Sequence, residues 1–337
     1  MSPKILLLTG SAPPVACGVG DYTLALAAAL KRSGQDADVL WHRDWSPSGT
    51  LEVFRRLAAE RNVILHIQYP TMGYGHSLGP QLCSLLPKCV VTIHEYSLAH
   101  SLRKLSLFFF SIRALRVIMT SQFEREALVS AMPWVKKRLR VVPIGSNIPA
   151  MPLTLVDRRT SILYFGLIMP RKGLEKFLEF ARIIRKKGFQ GDLLIVGKIV
   201  AGLDEYVRPL FDASKPLGVE WILDRDAEEV SEVLSRAGLS YLPFPDGASE
   251  RRGSLKAVCA AGLPCITTKS DQTGDELQKT VVFAETPAEA AGIAWRLMNS
   301  GDERARLSQQ SLDYANKFTW EAIAEAHIRI YRELEAG

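Results

Sequence analysis

Two stretches of the chain set cations beside backbone amides at the start of a helix. YFGLIMPRKGLEKFLEFARII (164–184) and LPFPDGASERRGSLKAVCAAGLP (242–264) each read as a buried strand, a polar glycine-bearing loop and a helix. The first loop carries Arg171 and Lys172, the second Arg251 and Arg252. A helix begins with N–H groups that have no intrahelical partner, and its dipole favours negative charge there. With guanidinium and ammonium groups alongside, such a terminus suits phosphate oxygens. Two of them in one α/β half point to a nucleoside diphosphate. The alternative for Arg171 and Lys172 is a pair of solvated charges ahead of a helix.

The elements that must position these loops alternate between strand and helix, the pattern of parallel α/β sheets. Strands are expected at 4–10, 36–42, 63–70, 89–96, 116–121 and 138–145. A second set follows at 161–166, 191–197, 219–223, 239–244, 264–268 and 281–284. Helices are expected over 21–32, 53–61, 122–132, with Ser121 as N-cap, and 318–334. Between 146 and 160 periodicity fails and two prolines, at 149 and 152, fall close together, which reads as a linker and a candidate hinge. The fold class is therefore α/β, with two doubly wound Rossmann-like domains facing a cleft. The domains are expected at 1–150 and 151–317, with 318–337 as a closing helix. Ligands of such sheets sit at the carboxyl ends of the strands, where these loops lie.

The chain has 337 residues, more than one hydrophobic core usually supports. Its 47% hydrophobic and 23% charged residues are ordinary for a soluble globular protein. A net charge of +6 suits an anionic ligand or an acidic membrane surface. Nucleic acid is disfavoured, because no helix-turn-helix, zinc knuckle or aromatic RNA-binding signature accompanies that charge. The five cysteines (17, 83, 89, 259 and 265) are odd in number and contain no C-x-x-C. That supports neither a disulfide framework nor a zinc site, and makes the cytoplasm the expected compartment. KILLLTG is too short an apolar run for a signal peptide, and no segment approaches a membrane span.

In this order and spacing, several segments resemble the retaining GT-B glycosyltransferases of family 4. They are CGVGDYTLALAAAL (17–30), TIHEY (92–96), TSQFEREAL (120–128) with VVPIGSN (141–147), FGLIMPRKGLEKFLEFA (165–181) and FTWEAIAEAHIRIY (318–331). The resemblance spans nearly the whole chain. It implies a metal-independent transferase moving a hexose-like sugar from a nucleoside-diphosphate sugar, UDP or GDP type, to a hydroxyl of a glycan or lipid-linked acceptor. No cofactor and no bound metal are implied.

Residue by residue, the resemblance gives Gly18 and Gly20 close backbone approach to the donor, and Asp21 an acceptor hydroxyl. The alternative is a tight turn with an Asp at a helix start. His94 would hold a donor hydroxyl at the reacting centre, while Glu95 would contribute or simply brace its loop. Arg171 and Lys172 would stabilise the departing diphosphate. Glu250 would contact the donor sugar, and Arg252 with the amides of Gly253, Ser254 and Leu255 the distal phosphate. The family's second glutamate is missing, since Lys256 or Ala257 stands there. That departure keeps a non-catalytic nucleotide-sugar-binding homologue open, beside an epimerase or phosphorylase of the same fold.

Two further segments are ambiguous. Asp224-Arg225-Asp226 has the form of a metal–diphosphate motif, but its place before a helix makes Asp226 an expected N-cap. SLRKLSLFFFSIRALR (101–116) is either a helix packed on its sheet or a peripheral contact with an anionic bilayer.

Overall fold

The computed structural model describes residues 3–13, 17–97, 99–146, 148, 149, 151 and 160–335. The chain divides into two compact units, Met1–Gly145 with Phe318–Gly337, and Ser146–Lys317. Most of the 146–160 linker falls outside the described residues.

The first unit holds a parallel sheet of β1 (Lys4–Thr9), β2 (Ala37–Trp41), β3 (Val63–Tyr69), β4 (Cys89–Ile93), β5 (Arg116–Met119) and β6 (Leu139–Val141), ordered β2-β1-β3-β4-β5-β6. Strand residues point alternately to opposite faces. Leu6 and Leu8 accordingly enter one core with Leu65, Ile67, Val91 and Phe110. Ile5 and Leu7 enter the other with Leu26, Ile64, Val90, Ile323 and Ile328. Burial on both faces is why these strands read as near-continuous apolar runs. The second core includes the helix Trp320–Glu335, which packs beside the helix Gly18–Arg32.

The second unit holds β7 (Ser161–Ile168), β8 (Asp192–Ile199), β9 (Val219–Leu223), β10 (Leu239–Leu242), β11 (Cys265–Thr267) and β12 (Val282–Phe283), ordered β12-β11-β10-β7-β8-β9. All its pairings are parallel. Two parallel six-stranded sheets, each built from alternating strands and helices, make the doubly wound, two-domain fold expected from the sequence.

Several strands end a residue or two inside the expected ranges, and two of them fall further short. β6 stops at Val141, two residues before Pro143, which has no N–H for a ladder. β4 stops at Ile93 because the amides of Tyr96 and Ser97 bond the Glu124 carboxylate instead of a neighbouring strand. Two helices start early: Gly18–Arg32 ahead of residue 21, and Pro47–Ala59 well ahead of residue 53, with Ser46 capping its first turn and proline at its start. Among the described residues no helix is long and apolar enough to cross a membrane.

Candidate functional site

In the second unit β10 and β7 are neighbours, and the chain leaves them in opposite directions, toward β11 and toward β8. That is a topological switch point, and loops diverging there leave a crevice at the strand ends. A cavity of ≈ 310 Å³ lies at this place, lined by Met169, Pro170, Arg171, Lys172, Pro245, Asp246 and Arg252. Both cation-bearing loops thus meet on one cavity.

The loops are locked together at Gly173. Its φ is +88°, and a Cβ there would lie 2.0 Å from the Pro243 carbonyl oxygen. The buried Tyr164 hydroxyl donates to the Lys172 carbonyl at 3.1 Å and holds the β7 loop from below. Arg171 is exposed and adopts φ +66°, a left-handed conformation costly for a residue with a Cβ.

Arg252 is ion-paired to Asp246, and its guanidinium lies 4.8 Å from the Phe244 ring centroid. It is thus a stacked, partly neutralised cation fixed in the wall, unlike the solvated Arg171. Arg251 is turned toward Gln272, whose side-chain oxygen it bonds. The helices Leu174–Lys186 and Gly253–Ala260 both begin here with no side-chain cap, so their first amides remain available. A Cβ on Gly253 would meet nothing within 4 Å, so protein packing does not require glycine there.

Glu250 is partly buried, and that burial raises its pKa, with Lys256 opposing and Glu276 adding to the rise. Lys256 is only 2% exposed, and burial pushes its ammonium down to about 7 against the pull of Glu250. A buried lysine thus stands beside Glu250 within this loop and helix. Asp226 accepts from the Glu229 amide while Glu229 reaches back to the Asp226 amide, a complete capping box.

The other predicted residues gather in the first unit. His94 follows β4, and its ring meets Tyr22 of the helix Gly18–Arg32 edge-on, centroids 4.9 Å apart. This contact brings the glycine loop and His94 together. The two glycines differ: a Cβ on Gly20 would sit 2.6 Å from the Ser11 carbonyl oxygen, whereas one on Gly18 meets nothing within 4 Å. Gly20 is therefore explained by packing and Gly18 is not. Asp21 lies in the uncapped first turn of that helix.

Behind His94 runs a buried polar chain that the sequence reading did not contain. His94 Nε2 lies 2.9 Å from Gln68 Oε1, and an amide oxygen only accepts, so the proton is on Nε2. Gln68 Nε2 donates to His66 Nε2 at 3.1 Å, and Thr92 Oγ1 lies 2.7 Å from the same nitrogen. His66 therefore carries its proton on Nδ1, 2.6 Å from the Tyr331 hydroxyl. The sequence hid this because Tyr331 lies 265 positions from His66. Burial drives His94 down to about 3, with the nearby His327 adding to the effect. His94 is consequently neutral, with Nδ1 as its acceptor atom. The carboxylate bracing its loop is the fully buried Glu124, which accepts from Tyr96 N, Ser97 N and Ser97 Oγ. Its signal was present in TSQFEREAL, where Ser121 caps the helix that carries Glu124.

Comparison with solved structures agrees with this architecture. HepE of Anabaena, in complex with UDP and glucose, superposes with a TM-score of 0.73 at 14% identity, covering 99% of this chain and 100% of that one. A glycosyltransferase from Rickettsia africae gives 0.75 at 14% identity, with 99% of each chain covered. WaaG, a glycosyltransferase involved in lipopolysaccharide biosynthesis, gives 0.67 at 13% identity, covering 99% of this chain and 100% of that one. No protein-family model and no curated protein sequence matches the chain. The fold is GT-B, the fold of these glycosyltransferases.

Proposed function

We propose that this protein is a retaining, metal-independent glycosyltransferase that transfers a hexose from a UDP or GDP sugar to a hydroxyl of a glycan or lipid-linked acceptor. The observation that carries this reading is the switch-point cavity, where Arg171, Lys172 and Arg252 line one wall system beside two uncapped helix N-termini. The likeness to HepE, a structure with UDP and glucose, supports the donor class.

In this reading the bond from the anomeric carbon to the diphosphate oxygen breaks first, giving an oxocarbenium-like sugar. Arg171, Lys172 and the amides of Gly253, Ser254 and Leu255 take up the charge gathering on the departing diphosphate. Those cations and amides fill the role a metal ion plays elsewhere. Glu250 and the His94 Nδ1 acceptor orient the sugar hydroxyls, and Asp21 holds the acceptor. The acceptor hydroxyl attacks the face the diphosphate leaves and passes its proton to the departing phosphate oxygen. All five cysteines are buried and unpaired, which fits a cytoplasmic protein.

The buried Lys256 favours a second reading, a homologue that binds nucleotide sugars without transferring them. Calorimetry and slow donor hydrolysis with UDP-, GDP- and ADP-sugars separate the two. A transferase binds one donor, hydrolyses it slowly, and loses both properties on Arg171→Ala. Binding without turnover across an acceptor panel supports the second reading. Absence of binding to all donors overturns both.

A further inference from the structure

We propose that Tyr331 is a positioning residue: its hydroxyl sets, through His66 and Gln68, which ring nitrogen of His94 carries the proton. Strand alternation brings the parts together. His66 and Gln68 lie two apart on β3, and Gln68 sits opposite Thr92 of β4. The His94 amide continues that ladder to the Tyr69 carbonyl at 2.8 Å, and its ring reaches Gln68. Around them the core holds Ile5, Leu7, Ile64 and Val90. Polar side chains in such surroundings are costly unless each hydrogen bond is made in a consistent sense.

The bonds of this chain share one direction. Burial depresses the pKa of both imidazoles, so each is neutral, with one ring nitrogen donating and the other accepting. An amide likewise donates at one end and accepts at the other. With the His66 proton on Nδ1, Nε2 accepts from Gln68, the Gln68 oxygen accepts from His94 Nε2, and His94 Nδ1 is bare. With the proton on Nε2 instead, Gln68 turns its amide over and His94 carries its proton on Nδ1. The two arrangements use the same side-chain positions.

The supply of acceptors around His66 decides between them. Nε2 has a partner either way, since the Thr92 hydroxyl at 2.7 Å can donate or accept. Nδ1 has the Tyr331 oxygen at 2.6 Å. Without that oxygen a proton on Nδ1 would be a buried donor with nothing to bond, so it belongs on Nε2 and the chain reverses. His66, Gln68 and Thr92 are wholly buried and Tyr331 nearly so, while His94 is half-buried. A direction set in the core at Tyr331 is thus read out at the member that meets solvent. Its effect on a sugar rests on the transferase reading; the relay itself does not.

The test is proton–nitrogen correlation NMR of the full chain labelled at histidine, where each ring nitrogen shows by its shift whether it carries a proton. His94→Gln assigns the His94 signals. The wild type should show His94 protonated at Nε2 and bare at Nδ1. Tyr331→Phe keeps the ring, removes the oxygen, and should move the His94 proton to Nδ1. Gln68→Met cuts the chain, so His94 should become a mixture of tautomers, and adding Tyr331→Phe should change nothing further. Calorimetric titration of UDP-glucose and GDP-glucose, each against its free diphosphate, supplies the second readout. Tyr331→Phe should weaken the sugar nucleotide by up to about tenfold, as for one hydrogen bond, and leave the free diphosphate within about twofold. A proton on His94 Nδ1 in the wild type, no movement in Tyr331→Phe, an unmixed Nε2–H His94 in Gln68→Met, or further movement in the double variant would each overturn the relay. A proton that moves as expected while sugar-nucleotide binding stays unchanged would uphold the relay and overturn the sugar contact given to His94.

Discussion

Replacing Arg171 by glycine should make the protein more stable and worse at its task. Arg171 holds φ +66°, and a left-handed residue with a Cβ carries about 1–2 kcal/mol of steric cost that glycine lacks. Glycine also gains about 0.5–1 kcal/mol of freedom in the unfolded chain, so the net gain lies between about zero and 1.5 kcal/mol. For a unit of this size that is a rise of up to about 5 °C in melting temperature. The lost guanidinium should cost the diphosphate a charge-assisted hydrogen bond worth about 1.5–3 kcal/mol, or roughly 10- to 150-fold in UDP affinity. Arg171→Ala keeps the Cβ, so it should lose the same affinity without gaining stability. Differential scanning calorimetry and titration of UDP into wild type, Arg171→Gly and Arg171→Ala supply all the quantities. UDP affinity within twofold of wild type in both variants would refute the assignment of Arg171 to phosphate, whatever happened to stability.

Three other outcomes follow from the same contacts. Burial depresses the pKa of His66, of His94 to about 3 and of His327 to about 4, against about 6.5 in an unfolded chain. Below about pH 6.5 the unfolded chain takes up protons the folded one refuses, so stability is fully present above that value and falls with acidification; His327 alone accounts for about 3 kcal/mol by pH 4. Urea unfolding at pH 7 and 4.5 should show this fall, and His327→Leu should lessen it. Gly20→Ala should destabilise the fold by about 1–3 kcal/mol through a clash, whereas Gly18→Ala should leave stability unchanged or raise it by up to about 1 kcal/mol, both read from the melting temperature. Glu124→Gln should cost about 1–3 kcal/mol and speed hydrogen exchange at the Tyr96 and Ser97 amides; unchanged exchange there would remove Glu124 from its bracing role.

What the sequence disclosed was what is local. Short apolar runs between turn residues placed every strand of both sheets, because strands buried on two faces read as near-continuous hydrophobic runs. The Arg171–Lys172 loop was legible because cations and glycine fall between a strand and a helix in adjacent positions. The long-range pairings were not. Nothing beside Arg252 indicates that Asp246 and Phe244 hold it, or that Gly18 faces open space while Gly20 is packed. His66 looks like any strand residue until the fold sets Tyr331 against it. The left-handed turn at Arg171 was equally hidden, since a strained φ leaves no mark on residue type.

The second unit is an insertion within the first, and this orders events during synthesis. Residues 1–145 emerge from the ribosome lacking Ile323, Ala324, Ile328 and Tyr331, which close one of their two cores. They must wait for the rest of the chain, while residues 146–317 are contiguous and can fold as soon as they appear. A nonsense mutation shortly before Phe318 would then leave a competent second unit attached to an incomplete first one. The segment that completes that core also delivers the hydroxyl for His66, so the hydrogen-bond chain behind His94 is the last part of the molecule to be assembled.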